Sequence, residues 1–244
     1  MIKIADWTWI DKEIVTSTND EALLFSNSTT DEKFIISSQE QTQGRGRRGR
    51  CWTALKGNLF FSQGIPFDSK YIGHLIFITS LSLYQTIYEL LPKEHNLHLK
   101  WPNDVLINNC KVSGILIEKG SNDYYIIGIG VNICSFPKDN PMLYPATSLK
   151  DNGINIDRLA FMKSYINKFD DNYKIWKTSG FDLIKTQWLL AVKGLGEPVN
   201  VKLENRELNG IFEGIGAQGE LLLKSDDKSH KIYAGDIFYI EKEQ

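Results

Sequence analysis

Seven residues limit what this chain can become. Gly44-Arg45-Gly46-Arg47-Arg48-Gly49-Arg50 alternates three glycines with four arginines and holds no apolar side chain, so no core can absorb it. The glycines admit crowded or left-handed backbone, and the arginines carry forked, permanently charged donors that match phosphate and carboxylate oxygens. A fold containing this segment must leave it as an excursion at the surface, either as a solvated basic turn or as a loop that closes on an anion. Its neighbours favour the second reading. Trp52 follows directly, Leu59-Phe60-Phe61 forms an apolar strand, and Lys100-Trp101-Pro102-Asn103-Asp104 lies at the mouth of another.

The basic loop sits on a nearly neutral body. Lys plus Arg number 28 against 30 Asp plus Glu, for a formal charge of -2, which argues against a chain that coats nucleic acid over its whole surface. With 42% hydrophobic and 24% charged residues in 244, the composition is globular, and the length suits one large domain with a small companion. No apolar run is long enough to cross a membrane, and the N-terminal residues lack the pattern of a secretory signal, so a cytoplasmic protein is expected. Cys51, Cys110 and Cys134 are far apart, without ligand spacing, and receive no role.

Periodicity divides the chain. Ile14-Val15 reads as a strand feeding a helix that Thr18 or Asn19 caps, and residues 34–38 and 59–62 read as strands flanking the basic loop. Residues 71–91 form a mostly apolar helix stopped by Pro92. Residues 97–101 are a strand, and residues 105–107 and 112–118 are a hairpin turning at Asn108-Asn109. Residues 124–131 are a further strand, in which Gly128 and Gly130 leave one face bare for a flat ligand or another backbone. Helices follow at 157–176 and 182–190. Gly194-Leu195-Gly196-Glu197-Pro198 marks a change of period, after which residues 199–203, 207–215, 220–224 and 231–240 read as short strands. The expected fold class is α+β: a mixed β-sheet with packed helices over residues 1–193, then a small all-β barrel over residues 194–244.

The polar features of the first domain fall on strand ends and loops: Ser17-Thr18, Gln41, the basic loop, Asn103-Asp104, Lys111 and residues 128–132. They include no Ser/His/Asp set, no metal cluster and no phosphate-binding Walker loop. Gly44 to Gly49 spells GxGxxG, but arginine fills every variable position and a strand follows. A site with many fixed cations and no nucleophile suits phosphoryl or nucleotidyl chemistry carried by positioning and charge.

GRGRRGR with Trp52, KWPND at 100–104, KVSGILIE at 111–118 and GIGVN at 128–132, in that order, resemble the biotin protein ligase family over nearly the whole chain. The resemblance implies a catalytic domain of the biotin/lipoate ligase type and a C-terminal barrel like a Src-homology-3 fold. It implies activation of biotin by ATP with Mg²⁺, without a tightly bound prosthetic group. Biotin would then pass to a lysine of a biotin carboxyl carrier domain of acetyl-CoA carboxylase or a related carboxylase. Arg45, Arg47 and Lys111 would be catalytic, with Lys111 bridging carboxylate and α-phosphate. Ser17, Thr18, Gln41, Gly44, Arg45, Lys111, Gly114, Leu116, Gly128 and Gly130 would bind biotin, the glycines leaving room for it. Arg45, Arg47, Arg48, Arg50, Trp52, Asn103, Lys111 and Asn132 would bind ATP. Asn103 and Asp104 would hold Mg²⁺ with the phosphates, or else cap the turn after Pro102. The loop would be a lid, mobile without ligand, over an adenylate that water destroys.

About a dozen residues precede the Ile14 strand, too few for the helix-turn-helix of the family's repressor members, so a ligase without DNA binding is expected, as a monomer or a homodimer. The rival readings are a lipoate- or octanoate-transferring relative, a biotin-binding protein without activity, and an arginine-glycine arm on RNA, whose binding would fall steeply with salt.

Overall fold

The computed structural model describes residues 2–4, 6–29, 33–121, 123–137, 145–226 and 228–240. Strands β1 (Ile2–Ile4) and β2 (Trp7–Val15) pair antiparallel. Helix α1 (Thr18–Ser26) then carries the chain over to β3 (Phe34–Gln41), which lies parallel to β2. The cap of α1 is Ser17, whose Oγ accepts the Asn19 backbone N–H, not Thr18 or Asn19. Ser17 has the extended backbone of a cap residue, whereas Thr18 is already helical. Beyond the basic loop come β4 (Leu59–Pro66), helix α2 (Ile72–Leu90), and a meander of β5 (Leu97–Lys100), β6 (Asp104–Ile107), β7 (Cys110–Lys119) and β8 (Tyr124–Val131). The β6–β7 turn puts Asn108 and Asn109 at φ 49° and 66°, the left-handed pair that a two-residue hairpin demands.

These strands form one mixed sheet in the order β1-β2-β3-β4-β8-β7-β6-β5. Helices α2, α3 (Arg158–Ser179) and α4 (Phe181–Ala191) cover one face. Between them and the sheet lies the main core, which includes the fully buried Trp7, Trp101, Trp188, Phe61, Phe77 and Phe169. Burying a large apolar side chain contributes about 1.5–3 kcal/mol. Helix α1 covers part of the other face through a smaller cluster of Ala22, Phe34, Ile36, Tyr124 and Ile126, leaving the rest of that face open.

A second, antiparallel sheet follows, from β9 (Pro198–Lys202), β10 (Glu207–Ile215), β11 (Leu221–Ser225), β12 (Lys228–Ile232) and β13 (Asp236–Tyr239), in the order β12-β11-β10-β9-β13. The single strand expected over 231–240 is two, because Tyr233-Ala234-Gly235 bends the chain and sends β13 across to pair with β9. This sheet is seated on α2. Gly73 lies so near Gln218 that a Cβ there would stand 2.0 Å from the Gln218 carbonyl oxygen.

His74 holds the same seam. Its ring stacks on Phe181 at 3.9 Å, Nε2 lies 2.8 Å from the Ala217 carbonyl and Nδ1 accepts the Trp176 indole N–H at 3.1 Å. Only a neutral ring carrying its proton on Nε2 makes both bonds. Burial draws the imidazole below its ordinary 6.5, against the Ala217 bond and the charges of Asp182 and Glu220, with Lys185 assisting. The unfolded chain therefore takes up this proton first. We expect the seam's contribution to stability to be complete above about pH 6.5 and to be lost as the pH falls through the lower folded-state value. Thermal melts between about pH 5 and 7.5 check this, and His74→Gln should flatten that part of the profile.

Candidate active site

Strand register builds the floor of a cavity on the open face. Paired residues across a sheet share a face. The row Phe60–Gly130–Gly114–Asp104–Lys100 and the row Ser62–Gly128–Leu116 run side by side across β4, β8, β7, β6 and β5. A register shift between Val105 and Leu106 interrupts the alternation of β7. Val112 turns into the core while Lys111 lines the cavity with Gly114 and Leu116, which is how a bulge re-aims a side chain. The cavity holds about 360 Å³.

Most residues singled out in the sequence meet here. Ser17, Thr18, Gln41, Arg45, Arg47, Arg50, Trp52, Asn103, Asp104, Lys111, Gly114, Leu116, Gly128, Gly130 and Asn132 line the cavity; Gly44 and Arg48 do not. Gly44 is buried behind the wall, where a Cβ would stand 2.5 Å from the Trp52 carbonyl oxygen. Arg48 turns away to Asp236.

The basic loop is a tight hairpin. Trp52 N–H donates to Gly44 O (2.9 Å) and Gly46 N–H to Arg50 O (2.7 Å), and the turn passes through Arg48 (φ 55°) and Gly49 (φ 70°) in the left-handed region. Each arginine is anchored. Arg45 places Nη1 on both Asp20 oxygens (2.6 and 2.7 Å) and Nη2 3.2 Å from Glu118. Arg47 donates to Asn103 Oδ1 (3.1 Å) and lies 3.5 Å from the Gly235 carbonyl oxygen. Arg48 and Arg50 share Asp236, one oxygen each, at 3.1 and 3.0 Å.

At the cavity's cationic end Asp104 stands between two lysines, with Lys111 Nζ at 2.6 Å and Lys100 Nζ at 3.9 Å. Burial pushes the Asp104 carboxyl up, but Lys111 and Lys100 outweigh it and hold the group below the usual carboxylate value. Lys100 is 3% exposed, and burial draws its ammonium down to about 7 against the attraction of Asp104. Burial likewise lowers the Arg47 guanidinium, with Asp236 and Asp104 opposing.

At the other end the groups are neutral. Gln41 Oε1 accepts the Thr18 backbone N–H (2.8 Å) and hydroxyl (3.1 Å), and Ser62 Oγ lies 2.8 Å from Thr18 Oγ1. Three residues of this network were not singled out in the sequence. Ser62 and Asn19 are buried and bonded to each other, and the Asn19 amide donates to Glu118. The space left by the two glycines of β8 is not open. A Cβ on Gly128 would stand 2.1 Å from Asn19 Oδ1, and one on Gly130 would stand 2.4 Å from the Trp52 indole. The indole thus roofs the floor, its Nε1 without a hydrogen-bond partner among the described residues, and Lys111 Nζ lies 5.4 Å from the ring centre. The site therefore joins a neutral hydrogen-bonding end to an end dense in cations, and its lining contains one carboxylate, Asp104, and one thiol, the exposed Cys51.

Residues 12–132 match the biotin/lipoate A/B protein ligase family, and residues 194–239 match the biotin protein ligase C-terminal domain. The chain is 32% identical to an acetyl-CoA-carboxylase biotin ligase of Paracoccus denitrificans, over 91% of this chain and 97% of the relative. It is also 32% identical to a bifunctional ligase/repressor of Bacillus subtilis, over 92% of this chain and 72% of that protein. Among solved structures, a biotin protein ligase from Aquifex aeolicus in complex with biotin and ATP superposes with a TM-score of 0.81 at 27% identity, covering 95% of this chain and 97% of that one.

The closeness of Gly130 to Trp52 makes it a sensitive position. Gly130→Ala should displace the indole and cost about 1–3 kcal/mol, read as a lowered melting temperature together with a changed tryptophan emission.

Proposed function

We infer the reaction from one premise: the chain belongs to the biotin protein ligase family. It is an ATP-dependent ligase that activates biotin as biotinyl-5'-adenylate, releasing pyrophosphate, and transfers biotin to a lysine of a biotin carboxyl carrier domain of a carboxylase. The observation that carries the reading is one cavity lined both by the cations Arg45, Arg47 and Lys111 and by the neutral, hydrogen-bonding Ser17, Thr18 and Gln41.

Biotin's ureido ring needs both donors and acceptors, and Ser17, Thr18 and Gln41 supply them. Gly114 and Leu116 offer backbone along the tail. The carboxylate then reaches Lys111, Arg45 and Arg47. Attack of a carboxylate oxygen on the α-phosphate makes the mixed anhydride and expels pyrophosphate. Negative charge gathers on the phosphate, and fixed cations there lower the barrier more than in water. Lys111 is restrained by Asp104 and so is preorganised to bridge carboxylate and phosphate. Arg50, Trp52, Asn103 and Asn132 border the nucleotide. Arg48, held on Asp236 outside the cavity, supports the loop rather than the phosphates.

Mg²⁺ accompanies ATP and neutralises its phosphate charge. Asn103 and Asp104 present oxygens suited to this hard ion, although both already face cations, Arg47 and Lys111, so the ion would share Asp104 with Lys111. In the second half-reaction the acceptor amine attacks the activated carbonyl and AMP departs, without a covalent enzyme intermediate. The hairpin of Gly44 to Arg50 excludes water while the anhydride waits.

We further propose residues 1–193 as the catalytic domain and 194–244 as its small companion, working in the cytoplasm, without binding DNA, as a monomer or a homodimer. Free cysteines suit a reducing compartment, and no helix among the described residues is long and apolar enough to cross a membrane.

Pyrophosphate exchange with ATP should depend on biotin and not on lipoate or octanoate, and Lys111→Ala should lower it by about 10²–10³-fold. Exchange driven by lipoate instead would keep the fold and move the substrate. Arg47→Gly should raise the release of biotinyl-adenylate several-fold, measured as biotin appearing on stray amines; release equal to the parent's would rule out a retaining role for the loop.

A further inference from the structure

A continuous path of side chains runs from the neutral end of the cavity through Glu118 to Arg45. Glu118 lies one row beyond the cavity floor, opposite Ile126 on β8, and its side chain is 30% exposed at the rim. One carboxylate there serves two partners. Oε2 accepts the Asn19 amide N–H and also lies 3.2 Å from Arg45 Nη2. The other end of the Asn19 amide, Oδ1, accepts from Ser62, whose hydroxyl also reaches Thr18 Oγ1.

We propose that Glu118 is a positioning residue for the adenylation step: anchored by Asn19 to the groups that receive the ureido ring, it sets where Arg45 stands over the carboxyl being activated. The proposal rests on the ligase reading above. Its physical content lies in the bond inventory. Ser62 has one proton for two acceptors, Thr18 Oγ1 and Asn19 Oδ1. A ligand that donates to Thr18 frees that proton for Asn19 and fixes the amide with its N–H toward Glu118. An ionised Glu118 accepts from both Asn19 and Arg45, whereas a neutral amide in its place must present an N–H to one of them. Asp20 cannot substitute, because it engages Arg45 Nη1 from helix α1 whereas Glu118 engages Nη2 from strand β7. With Glu118 removed, Arg45 keeps its charge but swings on one anchor.

A merely structural role and a positioning role give different signatures. Glu118→Gln, with Glu118→Asp as the milder variant, is compared with the parent for biotin affinity by calorimetry and for biotin-dependent pyrophosphate exchange over a range of ATP. The expected result for Glu118→Gln is biotin affinity within about 2-fold of the parent and exchange reduced by about 10-fold, the size of one lost charge-assisted hydrogen bond. Glu118→Asp should fall between. In the Arg45→Lys background, Glu118→Gln should add less than about 2-fold, because the two act as one unit. Biotin affinity that weakens as much as exchange would overturn the proposal, since Glu118 would then only brace the biotin pocket. Full additivity with Arg45→Lys would overturn it as well. A parent protein without biotin-dependent exchange would overturn the ligase reading and the proposal with it, and that outcome appears before any variant is made.

Discussion

Six basic side chains gather in and around one cavity, and four carboxylates hold five of them. Arg45, Arg47, Arg48, Arg50, Lys100 and Lys111 would repel one another if left alone. Asp20 and Glu118 hold the first, Asp236 holds Arg48 and Arg50, and Asp104 lies between the lysines. Arg47 makes its hydrogen bonds to neutral oxygens of Asn103 and Gly235 and meets Asp236 and Asp104 only through longer-range attraction, so it is less neutralised than its neighbours. This division matters to the chemistry. A cation that was fully neutralised could not stabilise a phosphate, and one without an anchor would have to be ordered at the moment of reaction.

The carboxylates come from four separate places in the fold, and this explains what the sequence could and could not reveal. The loop, KWPND, Lys111 and the glycine strand are legible because their residue types sit together in runs. Their convergence follows from the meander of β5 to β8 and from the pairing of β4, the strand after the loop, with β8. Asp236 has no such context. It lies in the small sheet, about which the sequence suggests no catalytic group, and its link to Arg48 and Arg50 spans 188 and 186 residues. Asn19 and Ser62 were hidden in another way. Asn19 reads as part of a helix cap, and Ser62 as an ordinary position in an apolar strand; only the pairing of β4 with β8 sets Ser62 beside Gly128, and only the packing of α1 lays Asn19 over that glycine.

Two local features also resist reading. Strict alternation from Lys111 to Glu118 would send Lys111 into the core with Ile115, and the bulge opposite Val105 and Leu106 reverses this. Nothing in the residue types announces that bulge. The bare face of Gly128 and Gly130 is visible in the sequence as space, but the occupant of the space is not. Asn19 and Trp52 fill it, so the glycines serve to seat two protein side chains beside the cavity. An unoccupied face and a face reserved for a neighbour look alike until the neighbour's position is known.

The double use of Asp236 carries a consequence for the order in which the polypeptide matures. Nearly all of the large sheet, its helices and the hairpin of arginines are encoded before residue 194, and domains fold as they leave the ribosome. The seat of Arg48 and Arg50 is translated some 186 residues after the arginines themselves. During synthesis, then, the large domain can assemble around a hairpin that still lacks its mooring, and a chain interrupted before β13 would present the same unmoored cations to its surroundings.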